Sequence, residues 1–245
     1  MLSDAIGDLL LGSRCVGCDR PGRVLCTGCA ATLPGSAAVA WPSPVPAGLV
    51  PPYASGPYDG LLRAMVIAHK EHGVLALAAP LGRLLALAVA AAVPSARGPV
   101  VLVPVPSRPS SVRARGHDPT WEMTVRAATH LRFDGVPAGA AALLRLRPGV
   151  RDQAGLDAGE RHANLAGSMR CSGRRLRLLA RRWPRAHVVV CDDVLTTGAT
   201  AREAQRALET VGLRVLAVAA VAATRRRDRR TESSRRLLSP QPGTV

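Results

Sequence analysis

The chain has 245 residues, of which 47% are hydrophobic and 2% aromatic, and it carries a formal net charge of +16. This apolar content excludes an intrinsically disordered chain and suits one sizeable domain plus a small one, while so few aromatics argue against a nucleic-acid site built on base stacking. The charge favours a polyanionic partner, but Lys70 is the only lysine, and this preference for arginine also indicates a coding bias.

Composition divides the chain into four segments. Residues 1–35 form a cysteine-containing unit, and residues 36–52 form a connector rich in Pro, Gly and Ala. Residues 53–224 form the main domain, and residues 225–245 are expected to form a flexible, arginine-rich tail. The N-terminal residues carry acidic groups and no basic segment, so no secretory signal is expected and a cytoplasmic protein is predicted.

The first segment contains two C-x-x-C pairs, formed by Cys15, Cys18, Cys26 and Cys29. Each pair can form a tight turn, and the four sulfurs can then close tetrahedrally on one metal ion. Zn²⁺ in a structural role is the expected metal, because four protein ligands leave no open coordination position. Disulfides, an iron–sulfur centre and a rubredoxin-like iron are the alternatives that this spacing leaves open.

The main domain begins with a strand or turn near Tyr53, followed by two helices, the first over about residues 58–69. Residues 74–93 approach the length of a membrane span, but Pro, Gly and Arg interrupt them, so we expect a buried helix and no membrane span. Residues 100–105 are an all-apolar strand. A helix is expected over about residues 120–131, and residues 137–144 lead towards another strand.

Near the C-terminus the order is strand, loop, helix and strand. Residues 188–190 have no polar alternation, as expected for a parallel strand that is buried on both faces. A helical stretch covers residues 199–211, and after Gly212 a second apolar strand runs towards Thr224. This βαβ unit predicts an α/β fold with a parallel sheet.

The loop of that unit has the composition of a phosphate and sugar site. Asp192 and Asp193 fall at the carboxyl end of the strand, where such sheets bind ligands. Their carboxylates can accept hydrogen bonds from vicinal hydroxyls or reach a hydrated Mg²⁺. Residues 195–200 then supply hydroxyls and backbone N–H groups at a helix start, which favours an anion. The alternative is an ordinary turn in which Asp and Thr serve as caps.

Two further loops add candidate anion contacts. Pro106, Ser107 and Arg108 follow the strand over residues 100–105 and form a stiff, polar turn suited to a pyrophosphate. Residues 113–116 are expected to form a mobile loop in which Gly116 is a hinge and two arginines, Arg113 and Arg115, close over the anion. For residues 113–116, the alternative is a solvated arginine-rich loop without a ligand.

Residues 188–200 resemble the 5-phosphoribosyl 1-pyrophosphate (PRPP) loop of the type I phosphoribosyltransferases. The resemblance implies that Asp192 and Asp193 hold the ribose hydroxyls and act as the catalytic residues. It also implies that the turn holds the 5-phosphate. The PRPP-binding residues would then be Asp192, Asp193, Val194, Leu195, Thr196, Thr197, Gly198, Ala199 and Thr200.

Together with the cysteine unit, the order of motifs is similar to that of the ComF family. The matching pieces are Tyr58-Asp59-Gly60 with Lys70, Val103 to Pro106, Arg115-Gly116, and Gln153, Arg161 and Asn164. The resemblance implies a type I phosphoribosyltransferase-like parallel sheet flanked by helices, with a small zinc-ribbon-like unit at the N-terminus. It implies binding of PRPP or a related phosphoribosyl ligand with Mg²⁺, and transfer of the phosphoribosyl group with release of pyrophosphate.

Two other functions stay open within this resemblance. One is a non-catalytic accessory of DNA uptake in competence, which would bind single-stranded DNA or a nucleotide and dock a helicase-like partner. The other is a PRPP sensor. The chain also departs from the family at His117-Asp118-Pro119, where an aromatic residue, Asn and Gln are usual. His117 is expected to be an incidental surface residue, and neither the acceptor nor the oligomeric state is predicted.

Overall fold

The computed structural model describes residues 13–93, 98–147 and 167–224. The α-helices of these residues are α1 (Thr27–Ala31), α2 (Gly60–Glu71), α3 (Ala78–Ala92), α4 (Pro109–Arg115), α5 (Pro119–Phe133), α6 (Gly173–Arg182) and α7 (Ala199–Glu209). The strands are β1 (Ala38–Val39), β2 (Pro52–Pro57), β3 (Val100–Pro104), β4 (Ala138–Ala140), β5 (Leu144–Leu146), β6 (Met169–Cys171), β7 (His187–Leu195) and β8 (Val215–Ala223). A short 3₁₀ turn, Leu75–Leu77, precedes α3.

Six strands form one sheet in the order β1-β2-β8-β7-β3-β4. Only the edge pair β1 and β2 is antiparallel, and the other neighbours of this sheet run parallel. β5 and β6 form a separate two-stranded antiparallel sheet. The fold is therefore α/β with a mostly parallel sheet flanked by helices, as the βαβ pattern predicted.

The apolar central strands are buried because helices cover both faces of the sheet. Leu102 and Val189 face a core shared with α2, α3 and α5. Their chain neighbours Val101 and Val190 face the opposite core, which contains the alanines of α7 and parts of β5 and β6. Strands covered on both faces have no reason to alternate polar and apolar residues, which explains the all-apolar sequences of β3 and β7.

The most apolar helical stretch is a core helix. Leu75–Ala92 is long and apolar enough to cross a membrane by length and composition alone, but half of it is buried inside the fold. A Cβ atom on Gly82 would lie 2.4 Å from the Cβ of Arg126 and 3.1 Å from the Met123 carbonyl oxygen. The absence of a side chain at Gly82 therefore lets α3 approach α5 closely, as expected of two helices packed in one core.

Most expected elements are present, and two differences concern the candidate site. The prediction of a mobile loop is wrong for Arg113 and Arg115, because both residues lie in helix α4. Gly116 has a φ angle of 77° and ends that helix in the left-handed conformation, so it acts as a helix cap rather than as a hinge. The strands β5 and β6 and the helix α6 were not predicted.

The first two segments pack against the main domain. Val16, Leu25 and Leu33 of the cysteine unit contact the core beneath α2 and α3. The connector supplies strand β1 and then lies against α7, where Gln205 accepts a hydrogen bond from the Val50 N–H (3.1 Å) and donates one to the Gly48 carbonyl (3.0 Å). Both segments therefore touch elements that carry the candidate site.

Candidate functional site

The centre of the candidate site is the acidic pair at the carboxyl end of β7. This strand lies between β8 and β3 in the middle of the sheet. Asp193 is 5% exposed and forms an ion pair with Lys70, which comes from the last turn of α2. The Asp193 N–H donates to Asp192 Oδ1 (2.9 Å), and the Val194 N–H donates to Asp193 Oδ1 (2.8 Å). The structure thus brings Lys70, Asp192 and Asp193 together.

The electrostatics of this group depend on burial and on the two adjacent carboxylates. Burial, and then repulsion from Asp193, raises the pKa of Asp192 well above its usual range, although Lys70 acts in the opposite direction. Burial would lower the pKa of Lys70, but attraction to Asp193 and Asp192 outweighs it and raises that pKa. One cation therefore serves two carboxylates, and a second cation or a set of hydroxyl donors would stabilise the pair further.

The Thr/Gly turn follows directly at the start of α7. Thr196 and Thr197 are exposed, and the Thr197 hydroxyl accepts a weak hydrogen bond from the Ala199 N–H (3.4 Å). Gly198 has a φ angle of 74°, and a Cβ atom there would lie 3.0 Å from Pro42 and 3.1 Å from Leu49. The connector thus packs behind the turn at Gly198, while the threonines face outward with the first N–H groups of α7, which have no partners within the helix.

The loop after β3 is fixed beside the acidic pair. The Val105 N–H donates to the carbonyl of Cys191 in β7 (2.8 Å). Ser107 donates from its hydroxyl to Asp118 Oδ1 (2.8 Å), which also accepts from the Trp121 N–H at the start of α5 (3.2 Å). Arg108 occupies the cap position of α4. Asp118 therefore holds this loop against α5, and the position of the loop is set before any ligand binds.

A cleft of about 390 Å³ lies beside this loop. Its lining includes Pro106, Ser107, Asp118, Trp121, Arg145, Arg170 and Arg175. Arg145 and Arg170 are direct cross-strand partners in β5 and β6. Like charges at such positions destabilise a sheet unless an anion lies between them, so this wall of the cleft favours an anionic ligand.

The predicted basic loop has other partners. Arg115 pairs with Glu71 at the end of α2 (2.7 Å), and Arg113 is exposed. The expectation that His117 is an incidental surface residue is wrong, because the ring is half-buried and contacts the carbonyl oxygens of Arg115 (3.2 Å) and His69 (3.1 Å). The segment after α4 is therefore attached to the end of α2.

The four N-terminal cysteines form a compact cluster. Their sulfurs lie within 4.8 Å of one another, and those of Cys18 and Cys26 are 3.6 Å apart. Tetrahedral Zn–S bonds of about 2.3 Å require sulfurs roughly 3.8 Å apart, so the cluster fits Zn²⁺. Backbone N–H groups of Cys26 and Cys29 point at the sulfurs of Cys15 and Cys26 (both 3.4 Å), as in a metal-binding turn.

The titration of these thiols also favours a bound cation. Burial opposes ionisation of Cys15, but N–H groups of Cys26, Gly17 and Cys18 lower its pKa to about 6. Hydrogen bonding to the sulfur of Cys15, and then to those of Cys26 and Cys18, raises the pKa of Cys29 to about 12. Four sulfurs this close cannot all ionise by themselves, whereas a divalent metal ion stabilises every thiolate.

No protein-family model matches the chain. The curated proteins compared with it also give no match. Among the predicted site residues, Gln153, Arg161 and Asn164 lie outside the described residues. The assignment of the site therefore depends on the geometry of the described part, which contains the turn after β7, the loop after β3, Lys70 and the cysteines.

Sequence reasoning missed the far wall of the cleft. Arg145 and Arg170 lie on three-residue strands that are distant in the sequence, and Arg175 lies in the first turn of a helix whose residues are all partly or fully exposed. The only local signal was the alternation of Leu and Arg around Arg145. Such a short alternation does not distinguish a strand from a solvated loop.

Proposed function

We propose that the protein is a ComF-like member of the type I phosphoribosyltransferases, with their fold, and that it binds PRPP or a related phosphoribosyl ligand with Mg²⁺. The observation that carries the proposal is the order of groups at the end of β7. At the centre of a parallel sheet, the half-buried Asp192 and the buried Asp193 are followed by a turn with two exposed threonines and then by a helix start.

The acidic pair is the ribose and cation end of the proposed site. Carboxylates of Asp192 and Asp193 accept hydrogen bonds from the vicinal hydroxyls or from water molecules of a hydrated Mg²⁺. Lys70 balances Asp193 before ligand binding. Bound Mg²⁺ would supply positive charge to the ligand and would stabilise the ionised form of Asp192, which burial and then repulsion from Asp193 disfavour.

The Thr/Gly turn is the 5-phosphate end. Its N–H groups and the hydroxyls of Thr196, Thr197 and Thr200 are the donors, and the helix dipole of α7 adds to their attraction for an anion. Gly198 is required because its backbone is left-handed and because the connector fills the space behind it. A side chain there would displace either the connector or the phosphate-binding turn.

The loop after β3 is the pyrophosphate end. Ser107 and Arg108 lie on a loop that is held to β7 and to α5, so the backbone N–H groups of this loop and the Arg108 guanidinium are positioned in advance. In a transfer reaction the bond between C1 of the ribose and the pyrophosphate oxygen breaks. The electron pair leaves with pyrophosphate, and the acceptor forms the new bond to C1. The site residues would stabilise charge on both ends of the ligand.

The acceptor in such a reaction must already be nucleophilic. Asp118, the carboxylate that lines the cleft, accepts two hydrogen bonds from the protein and is thereby committed to a structural role. A PRPP sensor would use the same contacts without transfer, so the binding step is the part of the proposal that the geometry supports most strongly.

Calorimetric titration with PRPP and Mg²⁺ tests this binding. We expect saturable binding that Asp193→Asn weakens strongly, because the variant loses the charge that faces the ribose and Mg²⁺. Asp134→Asn is the matched control, since Asp134 is an exposed carboxylate at the end of α5. No heat at millimolar ligand would eliminate both the transferase and the sensor. Release of pyrophosphate with a supplied acceptor would distinguish these two.

One observation favours a second function, the binding of single-stranded DNA. Helix α6 has five arginines in ten residues and no acidic residue, and none of its residues is buried. Such a helix suits the phosphate backbone of a nucleic acid. DNA binding that falls steeply with salt and survives Asp192→Asn and Asp193→Asn would support the competence-accessory function, with a helicase-like partner docked on the cysteine unit.

We also propose Zn²⁺ as the metal of the cysteine cluster and the cytoplasm as the location. The cluster uses all four thiols of the two pairs, which fits a closed structural site. Thiols at metal-binding spacing are retained most easily in a reducing compartment. Zinc would stabilise a unit whose helix α1 has no buried residue among its five.

A further inference from the structure

His69, at the end of α2, has an unsatisfied nitrogen inside the fold. The residue is 1% exposed, and its Nδ1 lies 3.2 Å from the Val74 carbonyl oxygen. A carbonyl can only accept, so Nδ1 carries the proton and Nε2 keeps its lone pair. Nε2 is buried and has no hydrogen-bond partner. A lone pair in this position requires a donor or a cation.

The groups nearest to that nitrogen are also electron-pair donors. Glu122 Oε2, from the first turn of α5, lies 3.8 Å from His69 Nε2. The ring of His117 lies 5.6 Å from that of His69, measured between centroids. One ligand atom from each of the three side chains falls within 4.8 Å of the others. Three acceptors that face one another are repulsive unless a positive charge lies between them.

His117 provides an independent sign of the same kind. Its two ring nitrogens each lie near a carbonyl oxygen, that of Arg115 (3.2 Å) and that of His69 (3.1 Å). A neutral imidazole can donate only one hydrogen bond. One nitrogen of the neutral ring therefore faces a carbonyl oxygen with its lone pair, and this unfavourable contact is lost when the ring turns that nitrogen towards a metal ion.

We propose that His69, His117 and Glu122 form a second metal site, which binds a divalent transition metal such as Zn²⁺. Two imidazoles and one carboxylate are typical ligands of Zn²⁺ and leave a fourth position for water. Metal–ligand bonds of about 2.0–2.2 Å place the ligand atoms roughly 3.4 Å apart. From the present distances, which run from 3.8 Å for His69 to Glu122 up to at most 4.8 Å, a contraction of about 0.4–1.4 Å closes the site. The Val74 carbonyl orients His69, as a hydrogen bond to the second nitrogen usually does for metal-binding imidazoles.

This metal site joins three segments of the chain. His69 precedes Lys70 in α2, His117 follows the end of α4, and Glu122 lies in α5. A bound ion fixes the segment after α4 against the end of α2, next to the Arg115–Glu71 ion pair. A bound ion therefore connects these three segments, and the existence of the site does not depend on the proposed function.

Metal content after equilibrium dialysis against Zn²⁺ tests the proposal on the full chain. We expect two equivalents per chain, one in the cysteine cluster and one in the new site. His117→Ala and Glu122→Gln are each expected to retain one equivalent, because both side chains are partly exposed and their loss removes a ligand without emptying the core. His72→Ala, at an exposed histidine next to α2, is the matched control and should retain two.

Co²⁺ substitution separates the two sites. Thiolate charge-transfer bands report the cysteine cluster, and they should be the same in His117→Ala as in the wild type. The proposal is overturned if the wild type binds one equivalent only, or if both His117→Ala and Glu122→Gln retain the second. Loss of the second equivalent in His72→Ala as well would also contradict it, since that residue is outside the site.

Discussion

Removal of Lys70 is the most informative perturbation of the acidic pair. In Lys70→Met the carboxylate of Asp193 loses its ion-pair partner while its side chain remains only 7% exposed. Loss of one partner of a fully buried pair costs about 3–5 kcal/mol, whereas exposed pairs contribute about 0–1 kcal/mol. The Lys70 side chain is 36% exposed, so solvent screens part of the interaction. We expect a loss of about 2 kcal/mol in the free energy of unfolding.

Urea denaturation at neutral pH measures this loss. For a chain of this size, about 2 kcal/mol corresponds to a decrease in Tm of roughly 4–8 °C. Asp193→Asn in the Lys70→Met background should recover much of the stability, because the uncompensated charge is then absent. Arg63→Met, at an exposed cation on the same helix, should have little effect. A Lys70→Met variant within about 0.5 kcal/mol of the wild type would refute the argument, because a change that small is typical of an exposed pair.

Three further predictions concern other parts of the molecule. Asp192→Asn should raise the Tm at pH 7 by about 2–4 °C. Burial raises the pKa of Asp192 in the folded state, so the protonated carboxyl stabilises the fold at low pH and this contribution is lost as pH rises through that pKa. Asparagine resembles the protonated carboxyl at every pH. The gain should disappear when the melting is repeated near pH 3.5. Gly82→Ala should lower the free energy of unfolding by about 1–3 kcal/mol, because the new Cβ meets the backbone of α5. Gly173→Ala is the control in the same urea denaturation, and it should be neutral because its Cβ meets only a flexible arginine. Cys18→Ser should remove one equivalent of Zn²⁺ and expose the cysteine unit to limited proteolysis, and Cys171→Ser should change neither; equal metal content in the two variants would contradict the role of the cluster.

The parts of the fold that were predicted have strong local signals. β7, its loop and α7 form a continuous stretch in which apolar run, acidic pair, turn residues and helix follow in order. The two cysteine pairs likewise lie within one stretch of fifteen residues. Signals of this kind are local because a strand end, a turn and a metal-binding knuckle each depend on a few neighbouring residues.

The remaining features depend on residues that are far apart in the chain. Lys70 and Asp193 are separated by 123 positions, and His69 and His117 contact each other across 48. Helix α4 is too short to show a periodic pattern, so the sequence predicted a loop with a hinge at Gly116 where the structure has a helix that ends at this residue. Burial decides such cases, and burial is a property of the assembled fold rather than of the local sequence.

The most direct test of the central claim is a ³¹P NMR titration of PRPP with the protein in the presence of Mg²⁺. The proposed site predicts that the 5-phosphate resonance shifts on binding and that Thr197→Val reduces this shift more than it affects the pyrophosphate resonances, since Thr197 lies on the turn at the start of α7. Unchanged resonances at saturating protein, or a shift of the 5-phosphate that Thr197→Val leaves intact, would contradict the assignment of this turn.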